Sequence, residues 1–209
     1  MAPRSQARKG REVRTPKVIV APVAEPITVA EARTHLEAQP YEDSDVDPLD
    51  DAMIEAMLSA ARESCEDFLG LSLATKTLEI ALDTFPTDGE AVDLPFGPVR
   101  EILSVMWGDD SDQELDLADF VLDNYRSPDQ LRATATSGWP SVTSYPNAIK
   151  VRYLAGYGED SDGGEALPKV LRAAILLELT NLYENRGDAP LSLAAEALMR
   201  PRRVRLGMA

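Results

Sequence analysis

The hydrophobic period changes twice along this chain, and that change limits the fold more than any other feature. Met53, Ile54, Met57, Leu58, Ala61, Cys65, Phe68 and Leu69 recur at helical spacing. The middle of the chain then alternates. Leu78, Ile80 and Leu82 interleave with Glu79, Ala81 and Asp83; Leu103, Val105 and Trp107 form a second such run. Ile149, Val151 and Tyr153 form a third, with Lys150 and Arg152 facing the other way. Phe85-Pro86, Leu94-Pro95, Gly97-Pro98, Trp139-Pro140 and Tyr145-Pro146 break these runs into short strands. After Pro168 the helical spacing returns. Two helical stretches therefore enclose a small antiparallel β unit, which gives an α+β chain with the strands inserted between helices.

Helix boundaries are legible as well. Thr28-Val29-Ala30-Glu31 matches a capping box and predicts a short helix to about Gln39. Asp47-Pro48-Leu49-Asp50 predicts the start of a longer one, with an Asp cap, Pro at the first helical position and acids at the positive end of the dipole. Gly70 is its expected stop. Pro168 opens a third helix ending near Arg186-Gly187, and a fourth runs from about Ser192 to Met199. Apolar residues cover most of the third helix's circumference. Such a helix is buried on more than one side. The second side is either this chain's own core or a neighbouring subunit, and Ile175, Leu176 and Leu179 are the candidate interface residues. The division expected is 1–27 as an extended basic arm, 28–74 with 165–190 as a helical domain, 75–158 as the inserted β unit, and 191–209 as a short helix with a basic tail.

Charge is laid out unevenly. Six bases, Arg4, Arg8, Lys9, Arg11, Arg14 and Lys17, stand in the first seventeen residues against Glu12 alone. Arg200, Arg202, Arg203 and Arg205 stand in the last ten with no acid. Residues 18–199 carry eleven bases against thirty-five acids, a net of −24 between ends of +5 and +4. An acidic body repels nucleic acid and membrane surfaces at long range, while basic ends seek acidic partners. The ends are therefore the expected contacts with a larger assembly. No run of about 18 apolar residues occurs, so no membrane span is expected. The N-terminus has no apolar stretch before Val18 and does not read as a secretory signal. A single cysteine excludes an internal disulfide and suggests a reducing compartment.

Chemistry-bearing patterns are few. One His (His35) and one Cys (Cys65) cannot build a Cys/His zinc site, and no nucleophile–base pair is evident. Cys65 lies on an apolar stripe and reads as a small buried hydrophobe. Asp43, Asp45, Asp47, Asp50 and Asp51 lack the EF-hand order, and Asp109, Asp110 and Asp112 read as an acidic turn. Gly156, Gly158, Gly163 and Gly164 make no phosphate loop. Neither a cofactor nor an enzymatic activity is expected.

The order of the pieces resembles the head–tail connector (adaptor) proteins of tailed bacteriophages and of phage-derived gene transfer particles. The residues carrying the resemblance begin with Thr28-Val29-Ala30-Glu31-Ala32, then Asp50-Asp51-Ala52-Met53-Ile54 and Ala60-Ala61-Arg62-Glu63. Leu94-Pro95, Pro98-Val99 and Trp139-Pro140 follow in the β part, which closes with Tyr153-Leu154-Ala155-Gly156-Tyr157-Gly158. Pro168 and Leu182-Tyr183-Glu184-Asn185-Arg186-Gly187 bound the long helix. The likeness spans about residues 25–200 and rests on order and spacing. The arm 1–24 lies outside the family pattern, and the terminal arginines are richer than it requires.

The resemblance implies a protein made in the bacterial cytoplasm and assembled as a ring of about twelve copies under the portal. DNA would pass through the ring without sequence-specific contact, and the ring would join the portal to a tail-side neck (stopper) protein. It also implies a C-terminal segment docked on the portal, which here would be Leu198, Met199, Arg200, Arg202, Arg203 and Arg205. Two other readings compete: a monomeric or dimeric α+β binding module, and a small carboxylate- or metal-dependent hydrolase.

Overall fold

The computed structural model describes residues 15–37, 50–87, 89–108, 113–141, 144–158, 165–185 and 190–204. The fold is α+β. In chain order the elements are β1 (Lys17–Val20), α1 (Val29–Glu37), α2 (Asp51–Leu69), β2 (Lys76–Leu82), β3 (Val92–Leu94), β4 (Val99–Trp107), β5 (Gln113–Glu114), a 3-10 turn (Leu117–Asp119), β6 (Phe120–Asp123), β7 (Asp129–Ala133), β8 (Ile149–Ala155), α3 (Lys169–Glu184) and α4 (Leu193–Met199), which runs into a 3-10 turn at Arg200–Arg202.

The helix signals act as their chemistry requires. At α1 the Thr28 hydroxyl accepts from the Glu31 amide, and the Glu31 carboxylate accepts from the Thr28 amide. At α2 the described cap is Asp50, whose carboxylate accepts from the Ala52 amide. Asp50 has extended backbone, so Asp51 is the first helical residue; Asp47-Pro48-Leu49 lie outside the described residues. Gly70 ends α2 in the left-handed region, φ 68°, with its amide bonded to the Glu66 carbonyl. Ser192 caps α4.

The strands form two sheets. The larger has the order β1-β2-β8-β4-β5 and the smaller β3-β7-β6, with all pairings antiparallel. The larger sheet takes its first strand from the arm: Lys17 lies opposite Glu79 and Val18 opposite Leu78. Leu78, Ile80, Val105, Ile149, Val151 and Tyr153 all point to one buried core. The expected alternation through β4 fails at Leu103, which is exposed while its neighbour Ile102 packs inward. Register shifts between Ile102 and Ser104, and a bulge of this kind turns the side chains over. Phe85, Phe120 and Trp139 close the β core, with Phe85 and Trp139 stacked at 5.1 Å. The Tyr153 hydroxyl donates to the Pro95 carbonyl at 2.7 Å.

A second core lies among the helices. Ile54, Leu58, Ala61, Cys65 and Leu69 of α2 meet Leu171, Ala174, Ile175 and Leu179 of α3, with Ala32 and Leu36 of α1 and Ala195 and Met199 of α4. The chain passes between the cores at 70–76 and 155–158. Gly156, φ 106°, sits so close that a Cβ there would meet the Ala74 carbonyl oxygen at 2.1 Å. Only glycine fits that crossing.

Candidate functional site

The contacts expected from the sequence are the two ends of the chain, and the fold treats those ends differently. At the C-terminus, α4 is pinned to α3. Buried Glu178 accepts from the Ser192 amide at 2.8 Å, and the Asn181 side chain donates to the Pro190 carbonyl. Met199 is fully buried and Leu198 is half-buried against the helical core. Met199 therefore anchors the tail from inside and has no surface to offer a partner. Arg200 is exposed and pairs with Glu196 at 2.8 Å, one helical turn back. Arg202 is exposed. Arg203 lies over the Phe68 ring, 4.7 Å from its centroid, and the Val204 amide donates to the Leu69 carbonyl at 2.7 Å. The tail is thus strapped across the end of α2 and points its first arginines to solvent. Arg205 lies outside the described residues.

Val204 also lines a small cleft with Gly70, Leu71, Gly97, Pro98, Ser127, Asp129 and Tyr157. Asp129 accepts from the Val99 amide at 2.7 Å, yet burial, helped by the charge of Asp123, raises its pKa above the usual carboxylate range. Burial likewise raises Tyr157, with Glu165 adding to the effect and Arg202 opposing it. Asp129 thereby fixes the turn before β4.

At the N-terminus, Lys17 is exposed on β1; Arg4, Arg8, Lys9, Arg11 and Arg14 lie outside the described residues. All four β1 residues are exposed, although three are Val18, Ile19 and Val20. The segment after β1 is held firmly. Glu25 accepts from Arg62 Nε at 2.8 Å, Arg62 Nη1 donates to Glu66 at 2.6 Å, and Lys76 Nζ donates to the same Glu66 oxygen at 2.9 Å. The other Glu66 oxygen accepts from the Leu73 amide at 2.6 Å. Burial opposes the charge of Arg62, but its bond to Glu25 and the charges of Glu66, Glu25 and Glu63 outweigh it and raise its pKa. This network had a sequence signal that went unread: Arg62 and Glu66 stand one turn apart on the buried side of an amphipathic helix.

The expected interface on α3 needs correction. Ile175 and Leu179 are fully buried inside the protomer, because α1, α2 and α4 pack round them. The fully buried positions Leu171, Ala174, Ile175, Glu178 and Leu179 keep one regular stripe, so the wide apolar circumference serves an intramolecular core. Of the three candidates only Leu176 keeps partial exposure.

Cys65 is sealed in the helical core, and burial, with the charges of Glu178 and Glu66, pushes its thiol up to about 12, so it is protonated at neutral pH. His35 is half-buried with its Nε2 against the Thr180 hydroxyl at 3.1 Å, and it tethers α1 to α3. Among the described residues no three His, Cys, Asp or Glu side chains gather as a metal site, and no helix is long and apolar enough to cross a membrane. Most of the Asp43–Asp51 run and the turn Asp109, Asp110 and Asp112 lie outside the described residues.

No family model matches the sequence, and no curated protein matches it. Solved structures do. A chain of the virion of the native gene transfer agent (GTA) particle is 22% identical with a TM-score of 0.72, over 91% of this chain and 95% of that one. A chain from the neck of the empty GTA particle, computed with C6 symmetry, is 21% identical with a TM-score of 0.73, over 91% and 96%. One from the neck of the native GTA particle, computed with C12 symmetry, is 22% identical with a TM-score of 0.68, over 91% and 96%. At this identity the likeness is one of fold, and it spans nearly the whole of each chain.

Proposed function

We propose that this chain is a structural subunit of the neck of a phage-like particle: a head–tail connector (adaptor) that forms a ring under the portal and lines the DNA passage. The observation that carries the reading is the end-to-end likeness in fold to chains of GTA necks, with nothing large left over on either side. Two features support it. Similar chains occur in necks computed with C6 and C12 symmetry, as ring subunits would. The body between residues 18 and 199 carries a net −24, and an acidic wall does not grip phosphates, so DNA slides past it.

In this reading the protein is localised in the particle neck and acts without catalysis. Leu198 and Met199 hold the tail to the body, while Arg200, Arg202 and Arg203 meet carboxylates of the portal, where arginine makes strong bidentate contacts. The opposite end of the ring meets the tail-side stopper protein. The test is removal of the chain from the producing cell. The expected product is DNA-filled heads without tails, with the protein restoring tailed particles when supplied again. Normal tailed particles formed without it would overturn the reading.

A further inference from the structure

The five-stranded sheet has two edges of opposite character. One edge is β1, where Val18, Ile19 and Val20 are exposed, as is Val23 just beyond it. This edge carries Lys17 and follows directly from the basic arm, net +5 over residues 1–17. A strand edge bearing bare β-branched side chains is a surface made to be covered. The other edge is β5, which continues through the 3-10 turn into β6, the outer strand of the small sheet. The Leu115 amide bonds the Val105 carbonyl, so this turn is fixed beside β4. Leu117 and Val121 are exposed there. From Gly108 to Tyr125 the sequence holds seven acids and no base. Asp123 is neutralised by Arg126 and Arg132. That leaves Glu114, Asp116, whose carboxylate accepts from the Ala118 amide, and Asp119, which accepts from the Ser137 hydroxyl, as the acids of this edge with no paired cation among the described residues.

We propose that the β1 edge of one copy docks on the β5 edge of the next copy. The proposal rests on the reading of the chain as a ring subunit. A closed ring needs two different, complementary patches on each copy, on separate faces. These two edges match in charge and each carries exposed apolar side chains. Four strand spacings separate them, roughly 19 Å or more, so they cannot meet within one copy. The bulge at Val18–Val20 and the prolines Pro16 and Pro22 keep β1 short, so the contact runs through the side chains of Lys17, Val18, Ile19 and Val20 rather than through a long hydrogen-bonded ladder.

The test uses the full chain in assembled particles. Its only natural cysteine is buried and protonated, so Val20→Cys and Glu114→Cys supply the reactive thiols. The cross-linker is a bismaleimide shorter than the separation of the edges in one copy. The double variant should give a ladder of multimers ending at the full ring. The two single variants should stay monomeric alone and give dimers when co-assembled. Rings visible by electron microscopy without any cross-linked band overturn this contact and leave the ring standing. Dimers from either single variant alone overturn it in favour of a two-fold contact. Wild-type particles without a ring overturn both readings.

Discussion

The two ends of this chain are alike in charge and opposite in anchorage. The C-terminal arginines follow a helix whose last residue, Met199, is fully buried, and Arg203 and Val204 are strapped to α2. The N-terminal bases lead into a strand with every residue exposed. Basic composition alone therefore does not say how an end is held. The C-terminus is built to present charge from a fixed position, since its helix is already part of the core. Among the described residues, the N-terminal segment reaches the body through an edge strand and, past it, through Glu25 on Arg62, the Pro26 carbonyl on Arg172 and buried Ile27.

That contrast can be broken in graded ways. The largest effect is expected from Arg62→Ala. It removes the holder of Glu25 and one of the two cations on the buried Glu66 carboxylate, with Lys76 remaining, at a cost of about 3 kcal/mol, the low end for breaking a buried pair. Urea unfolding measures it; a loss below about 1 kcal/mol would show that the segment after β1 does not depend on this pair. Next is Met199→Ala, which opens a cavity in the helical core and should cost about 2–4 kcal/mol. Val20→Ala on the exposed strand should stay within about 0.5 kcal/mol in the isolated protein. Equal losses at the two ends would erase the distinction.

Removing residues 200–209 deletes the Val204–Leu69 hydrogen bond and the Arg203 contact with Phe68, each worth about 1 kcal/mol or less. The truncated chain should remain folded but fail to sediment with portal-bearing heads. Sedimentation at the wild-type level would remove the portal role of the tail. Brief trypsin treatment sharpens the comparison at the other end. The bases of residues 1–14 should be cleaved in the free protein and protected in assembled particles, and equal protection in both would place the arm on its own body.

The smallest effect concerns pH. The Thr28 amide and the Arg172 guanidinium hold the Glu31 carboxyl below its usual range. A lowered folded pKa gives stability that is complete above the ordinary glutamate range and is lost as pH falls through the folded value. In Glu31→Gln that slope should vanish, with a loss at neutral pH of about 0.5 kcal/mol, since the site is exposed. A thermal-melt series across pH 2–6 in both proteins reads it.

Much of this fold was legible because the signals were local. The capping box at Thr28, the stop at Gly70, and the alternation at Ile149, Val151 and Tyr153 each depend on residues within a few positions. Leu103 failed because a bulge is a property of two strands together, and its partner β8 lies some fifty residues away. The helix start expected at Asp47-Pro48 lies outside the described residues, and the cap described is Asp50, the last residue of the same motif. The assignment of Ile175 and Leu179 on α3 to a subunit interface failed for a different reason. Period shows how wide an apolar stripe is, but not whether its cover comes from the same chain, and here α1, α2 and α4 supply it. Whole clusters of charge at 38–49 and 109–112 fall outside the described residues.

Glu66 has a mechanical consequence. One carboxylate on the last turns of α2 takes up Arg62 from its own helix, Lys76 from the first position of β2, and the Leu73 amide between them. It is a weld at the seam between helices and strands, made where the medium is poor in water and the bonds are correspondingly stiff. Prising the seam open would leave a charge stranded. The helical core and the strand core are therefore expected to open together in one unfolding step rather than one before the other.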